Sequence, residues 1–79
     1  MSTTYSTWSE ALEHEVIEPL ADLPRVKRGE VTYDHQAIAR RVIGYSPAHH
    51  DVPRQYYLDT TQDGYWDAVF DNEREAVAA

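Results

Sequence analysis

Gln55-Tyr56-Tyr57-Leu58-Asp59-Thr60-Thr61-Gln62-Asp63-Gly64-Tyr65-Trp66-Asp67-Ala68-Val69-Phe70-Asp71 is the stretch on which the fold turns. Two runs rich in aromatic and β-branched residues flank Asp63-Gly64, a turn signal, and together they predict a C-terminal β-hairpin. With Gln62-Asp63-Gly64 as a three-residue loop, Gly64 takes the left-handed position such loops need. Thr61 then faces Tyr65, Asp59 faces Asp67, and Tyr57 faces Val69. The opposite face carries Tyr56, Leu58, Thr60, Trp66, Ala68 and Phe70, and is expected to be core. A helix competes for the second half: Trp66, Val69, Phe70 and Val77 also fit helical spacing, and residues 71–76 are comfortable in a helix. The hairpin is preferred and the helix stays open.

Upstream, Ser46-Pro47-Ala48-His49-His50-Asp51-Val52-Pro53 reads as a loop between two prolines. Before it, Asp34 can cap a second short helix carrying Ala37, Ile38, Val42 and Ile43 and ended by Gly44. A strand over residues 38–45 is the alternative, because Ile and Val also favour strands. Glu30–Tyr33 is a short extended candidate, after a basic connector, Arg25-Val26-Lys27-Arg28-Gly29. At the N-terminal end, Thr7 with Glu10 matches a capping box. Trp8, Ala11, Leu12 and Val16, then Ile17 and Leu20, form one apolar stripe of an amphipathic helix. Glu10, His14 and Glu18 lie on its polar face with Glu13 beside them. Pro19 is expected to limit regular helix past about residue 18, and Pro24 to end whatever follows. Residues 1–6 and 76–79 are expected to fray. The expected fold is a single small α+β domain with Trp8, Leu12, Val16, Ile38, Val42, Leu58, Trp66 and Phe70 in its core.

Seventy-nine residues make one domain at most, and a domain this short buries only about 60% of its unfolded surface. There is no cysteine, hence no disulfide, no zinc–thiolate site and no thiol nucleophile. No apolar run approaches the ~20 residues of a membrane helix, and the start Met1-Ser2-Thr3-Thr4-Tyr5-Ser6-Thr7 lacks the basic and apolar regions of a signal peptide. A cytoplasmic protein is expected. The formal charge of −7 is unevenly spread. Residues 1–24 hold five acids and no Lys or Arg, residues 25–54 six bases and three acids, and residues 55–79 six acids and one base. Acidic ends flanking a basic middle fit internal charge pairing, or an acidic face turned towards a basic partner. Direct nucleic-acid binding is disfavoured, since phosphate contacts need a net basic footprint.

Catalysis finds no foothold. Ser2, Ser6, Ser9 and Ser46 sit in a terminus, a helix start and a loop, with no nucleophile-elbow context. Gly29, Gly44 and Gly64 are isolated, so no phosphate-cradling loop is present. His49-His50-Asp51 lacks metal-ligand spacing, and the Glu10–His14–Glu18 row reads as a solvated helix face. No catalytic residue, metal or cofactor is expected. Nine aromatics, six of them Tyr, are more than a thin core needs. Tyr5, Tyr33, Tyr45, Tyr57 and Tyr65 stand where full burial is not expected, and tyrosines of that kind enrich interfaces. Asp59 opposite Asp67 would cost on the order of 0.2–1 kcal/mol across a sheet, which is tolerated if the pair is exposed, neutralised by Arg40 or Arg41, or functional.

The acidic, cysteine-free chain with its many tyrosines, and the run Met1–Thr7 leading into the acidic helix Trp8-Ser9-Glu10-Ala11-Leu12-Glu13, resembles phage-encoded anti-CRISPR proteins in character. Several of those act as DNA mimics in the basic groove of a type I Cascade complex. The resemblance implies an inhibitor in the host bacterial cytoplasm, a monomer or weak homodimer, bound to a Cascade subunit or another basic nucleic-acid-binding protein. The basic middle narrows the mimicry to a local acidic patch, or to blocking by bulk. Candidate contact residues are Glu10, Glu13, Glu18, Asp59, Asp67 and Asp71, with Tyr57 and Tyr65 adding area. An antitoxin, or a small regulatory or accessory phage protein acting by protein–protein binding, is the alternative.

Overall fold

The computed structural model describes residues 3–75 as an α+β domain. The N-terminal helix α1 runs continuously through Trp8–Leu12, a π-helical segment Glu13–Ile17, and Glu18–Ala21. Thr7 caps it as expected, its hydroxyl accepting the Glu10 N–H at 3.2 Å. The helix outlasts the predicted limit near residue 18. Proline has no N–H to donate, and its ring crowds the carbonyl four residues back, which here belongs to Glu15. The π segment, in which the Glu18 N–H reaches the Glu13 carbonyl, widens the turn ahead of Pro19 and lets the helix continue. Leu20 is thereby carried into the core, fully buried with Ala11 and Val16.

α1 stops at Ala21 with Leu23 extended ahead of Pro24, as expected, and the proline then starts a new helix: α2, Pro24–Lys27, has it at the first position. Gly29, at φ +75°, closes the turn after it, a conformation a side chain would strain. Strand β2 (Val31–Tyr33) follows, then Asp34, whose Oδ1 accepts the Ala37 N–H at 3.1 Å and caps α3, His35–Val42. Both readings of residues 38–45 hold in part, because α3 passes directly into strand β3, Ile43–Ser46. The loop beyond carries a tight His49–Val52 bridge with His50 at φ 50°.

A hairpin is present, but one element upstream of its expected place. Strand β4, Gln55–Leu58, pairs antiparallel with β3, matching Ile43 to Leu58 and Ser46 to Gln55. On its other edge β4 pairs with β1, Thr4–Tyr5, giving the order β1-β4-β3. The segment predicted to fray thus begins the sheet; residues 1–2 and 76–79 lie outside those described. Residues predicted as the second hairpin strand instead form helix α4, Gln62–Asp71, with the Thr61 hydroxyl accepting the Gly64 N–H at 3.4 Å. Strand β5, Glu73–Glu75, returns antiparallel to β2.

The helix wins because it buries Tyr65, Ala68 and Val69 at i, i+3 and i+4, against Ile38, Ala39 and Val42 of α3 and the α1 stripe. The alternating face required by the hairpin is not buried as a unit: Ala68 is inside, but Leu58 and Phe70 are exposed and Trp66 is half-buried. Of the predicted core, Leu12, Val16, Ile38 and Val42 are buried, while Trp8 and Trp66 pack on its edge. Asp59 does not face Asp67. Its N–H donates to the Val42 carbonyl at 2.6 Å, whereas Asp67 lies within α4. Tyr57 pairs not with Val69 but with Gly44 and Thr4.

Gly44 matters by lacking a side chain. A Cβ there would lie 2.7 Å from the Tyr57 ring and 2.7 Å from the Asp59 Cβ. Gly44→Ala should therefore destabilise the domain by about 1–3 kcal/mol through overpacking, measured as a lower urea midpoint.

Candidate protein-binding surface

Half of the six bases in the middle of the chain are used internally, together with Arg74. Arg25 pairs with Glu73 at 3.0 Å, Arg41 with Asp71 at 2.8 Å, Arg74 with Asp34 at 3.2 Å, and Arg28 with Glu30. Exposed pairs of this kind add little stability, but they decide which charges stay uncompensated. Among the described residues, none of the acids so paired with arginine lies on α1.

Glu10, Glu13, His14 and Glu18 form the exposed face of that helix. The His14 ring is held from two sides: Nδ1 meets the Glu18 carboxylate at 3.0 Å, and the ring stacks on Tyr5 with centroids 5.5 Å apart. Tyr5 in turn donates its hydroxyl to Glu15 at 2.6 Å, and burial together with that carboxylate pushes the phenol up to about 12. The hydrogen bond to Glu18 raises the His14 pKa. Loss of solvent around the ring opposes this, and the charges of Glu18, Glu13 and Glu10 add to it. All three carboxylates thus lie within electrostatic reach of the His14 ring.

A histidine pKa raised on folding contributes stability that is complete below its unfolded value, near 6.5, and lost as pH climbs through the folded value. The ring NMR titration of His14 should have its midpoint above 6.5, and Glu18→Gln should move it downward by removing the largest cause. A midpoint unmoved by that substitution would contradict the assignment.

The predicted set of contact residues is divided by the fold. Glu10, Glu13 and Glu18 stand together. Asp67 and Asp71 share α4, with Asp71 tied to Arg41. Asp59 is exposed just past β4, and Tyr57 is half-buried in the sheet. Tyr65, expected to lend contact area, is 8% exposed and belongs to the core. The hairpin register hid a second acidic row, Asp63, Asp67 and Asp71, at helical four-residue spacing. Beside it Phe70, 63% exposed, stacks on Trp66 at 6.0 Å. Thr61, followed by that spacing, was the signal that could have revealed the row.

Two clefts meet at Trp66. One, about 320 Å³, is bounded by Glu15 and Pro19 of α1, Leu58 of β4, and Thr61, Gln62, Tyr65 and Trp66 at the start of α4. The other, about 220 Å³, lies among Leu23, Pro24, Arg25, Tyr33, Trp66, Phe70 and Glu73. The Tyr65 hydroxyl is buried with no hydrogen-bond partner. His49 and His50 are exposed, their rings 4.2 Å apart, and among the described residues no three His, Cys, Asp or Glu side chains converge as metal ligands would. No described helix is long and apolar enough to cross a membrane. No protein-family model, curated protein or solved structure matches this chain.

Proposed function

We propose that this chain is a protein-binding inhibitor that sets the carboxylates of α1 against a basic groove built to hold nucleic acid, in the manner of an anti-CRISPR protein blocking target DNA at a type I Cascade complex. One observation supports this above the rest: Arg25, Arg28, Arg41 and Arg74 pair with acids elsewhere, and among the described residues the Glu10–Glu13–Glu18 face is met by no Lys or Arg, its one basic neighbour being His14 on Glu18. Glu10 to Glu18 spans at most about 12 Å of helix axis, since the π segment between them rises less per residue, and this is the advance of about three phosphates along one DNA strand. Carboxylates so placed compete with phosphates for the same Lys and Arg side chains. Long-range attraction between the acidic face and the groove speeds encounter. The Trp66–Phe70 stack beside Asp67 supplies apolar contact area of the kind that anchors interfaces.

The test is displacement. Purified Cascade carrying labelled target DNA should release it when this protein is added in excess. If neither Cascade nor any other nucleic-acid-binding protein tried is bound, the proposal fails.

A further inference from the structure

We infer that the cleft between α1 and the start of α4 is a receptor for a single arginine side chain of the partner protein. This rests on the preceding reading that the partner is basic, and it names the residue type that anchors it. At about 320 Å³ the cleft lies at the small end of ligand sites and suits one long side chain.

Its chemistry selects a guanidinium. Glu15 is half-buried at the wall; its Oε1 accepts the Tyr5 hydroxyl, and no Lys or Arg among the described residues pairs with it. A carboxylate has about four acceptor sites, so this one keeps capacity and an uncompensated charge. An apolar occupant would bury that charge unpaired, at high cost, and an anion would be repelled by it. Trp66 offers an aromatic surface that attracts cations, with Pro19 and Leu58 as further apolar walls.

The Tyr65 hydroxyl behind the cleft wall is buried and unpartnered, so it offers an anion or apolar group no donor that could offset the Glu15 charge. Burial, and then the nearby Glu15 charge, raises its pKa to about 12, so it stays a neutral group able to accept a hydrogen bond. Leaving it unmatched weakens the free protein. Arginine carries five donors in one plane and can pair with Glu15 while stacking on the indole. The compact lysine ammonium cannot stack in that way.

The full chain is titrated with N-acetyl-arginine amide and, separately, N-acetyl-lysine amide, followed by amide and indole NMR shifts. Saturable shifts should cluster at Glu15, Leu58, Gln62 and Trp66, with arginine binding at least threefold tighter than lysine. Glu15→Gln, which keeps an acceptor for Tyr5, should weaken arginine about tenfold or more. Trp66→Leu should remove most of the preference for arginine over lysine, because it removes the aromatic surface on which the guanidinium stacks. Equal responses to arginine and lysine, no saturation at the cleft, or indifference to Glu15→Gln would overturn the inference. No partner is present in this experiment, so its failure leaves the acidic-face proposal standing. Failure of DNA displacement, conversely, leaves arginine binding intact.

Discussion

Leu20→Ala should lower unfolding free energy by about 2–5 kcal/mol, the range for removing a large aliphatic side chain from a closed core. A domain of this length has roughly 4–12 kcal/mol of stability in all, so the variant should stand near the edge of folding. The residue lies one position beyond Pro19 and is fully buried. Its burial depends on α1 continuing through the proline by way of the π segment Glu13–Ile17. Ile17→Ala is the control. Ile17 is 36% exposed, and truncating it should cost under about 1.5 kcal/mol. Urea denaturation followed by circular dichroism separates the two. Equal losses would mean that the helix does not carry Leu20 inward.

That helix shows what could be read from the chain and what could not. Thr7 with Glu10 and Asp34 with Ala37 are local capping signals, and both caps form. The apolar stripe of α1 and its Glu10–Glu13–Glu18 face are likewise set by spacing within one element. The hairpin was misplaced because Tyr65-Trp66-Asp67-Ala68-Val69-Phe70 satisfies alternation and helical spacing together. The choice was made by partners distant in sequence: β3 supplied the ladder for Gln55–Leu58, and α3 supplied the apolar surface for Val69. Pro19 misled for a related reason, since a π turn is a backbone accommodation that no residue type announces. A strand over residues 65–71 hides Tyr65 and the cleft beside it. The α1 half of the candidate surface was therefore legible, and the α4 half was not.

Neutralising Glu10, Glu13 and Glu18 together as glutamines should abolish most of the proposed inhibition while leaving the fold in place. All three side chains are exposed, and Gln is as helix-compatible as Glu. The Glu18 link to His14 is lost, but so is the crowding of like charges along the face. Single substitutions should be mild, up to about fivefold in affinity, because exposed ion pairs are screened. The three should combine to about tenfold to a hundredfold, more if any carboxylate is desolvated against arginine. Asp59→Lys with Asp67→Lys, an attractive pair under the hairpin register, should do less, because the fold does not set those residues opposite each other. Melting curves of each variant separate lost contacts from lost structure.

The most direct test is the affinity of the wild-type protein and the triple glutamine variant for a Cascade complex, measured with and without target DNA at low and high salt. Wild type should bind tightly at low salt, weaken steeply as salt rises, and exclude DNA, while the variant binds weakly with a shallower salt dependence. Wild-type binding that is equal at both salt concentrations, with DNA still bound, would contradict the acidic-face account.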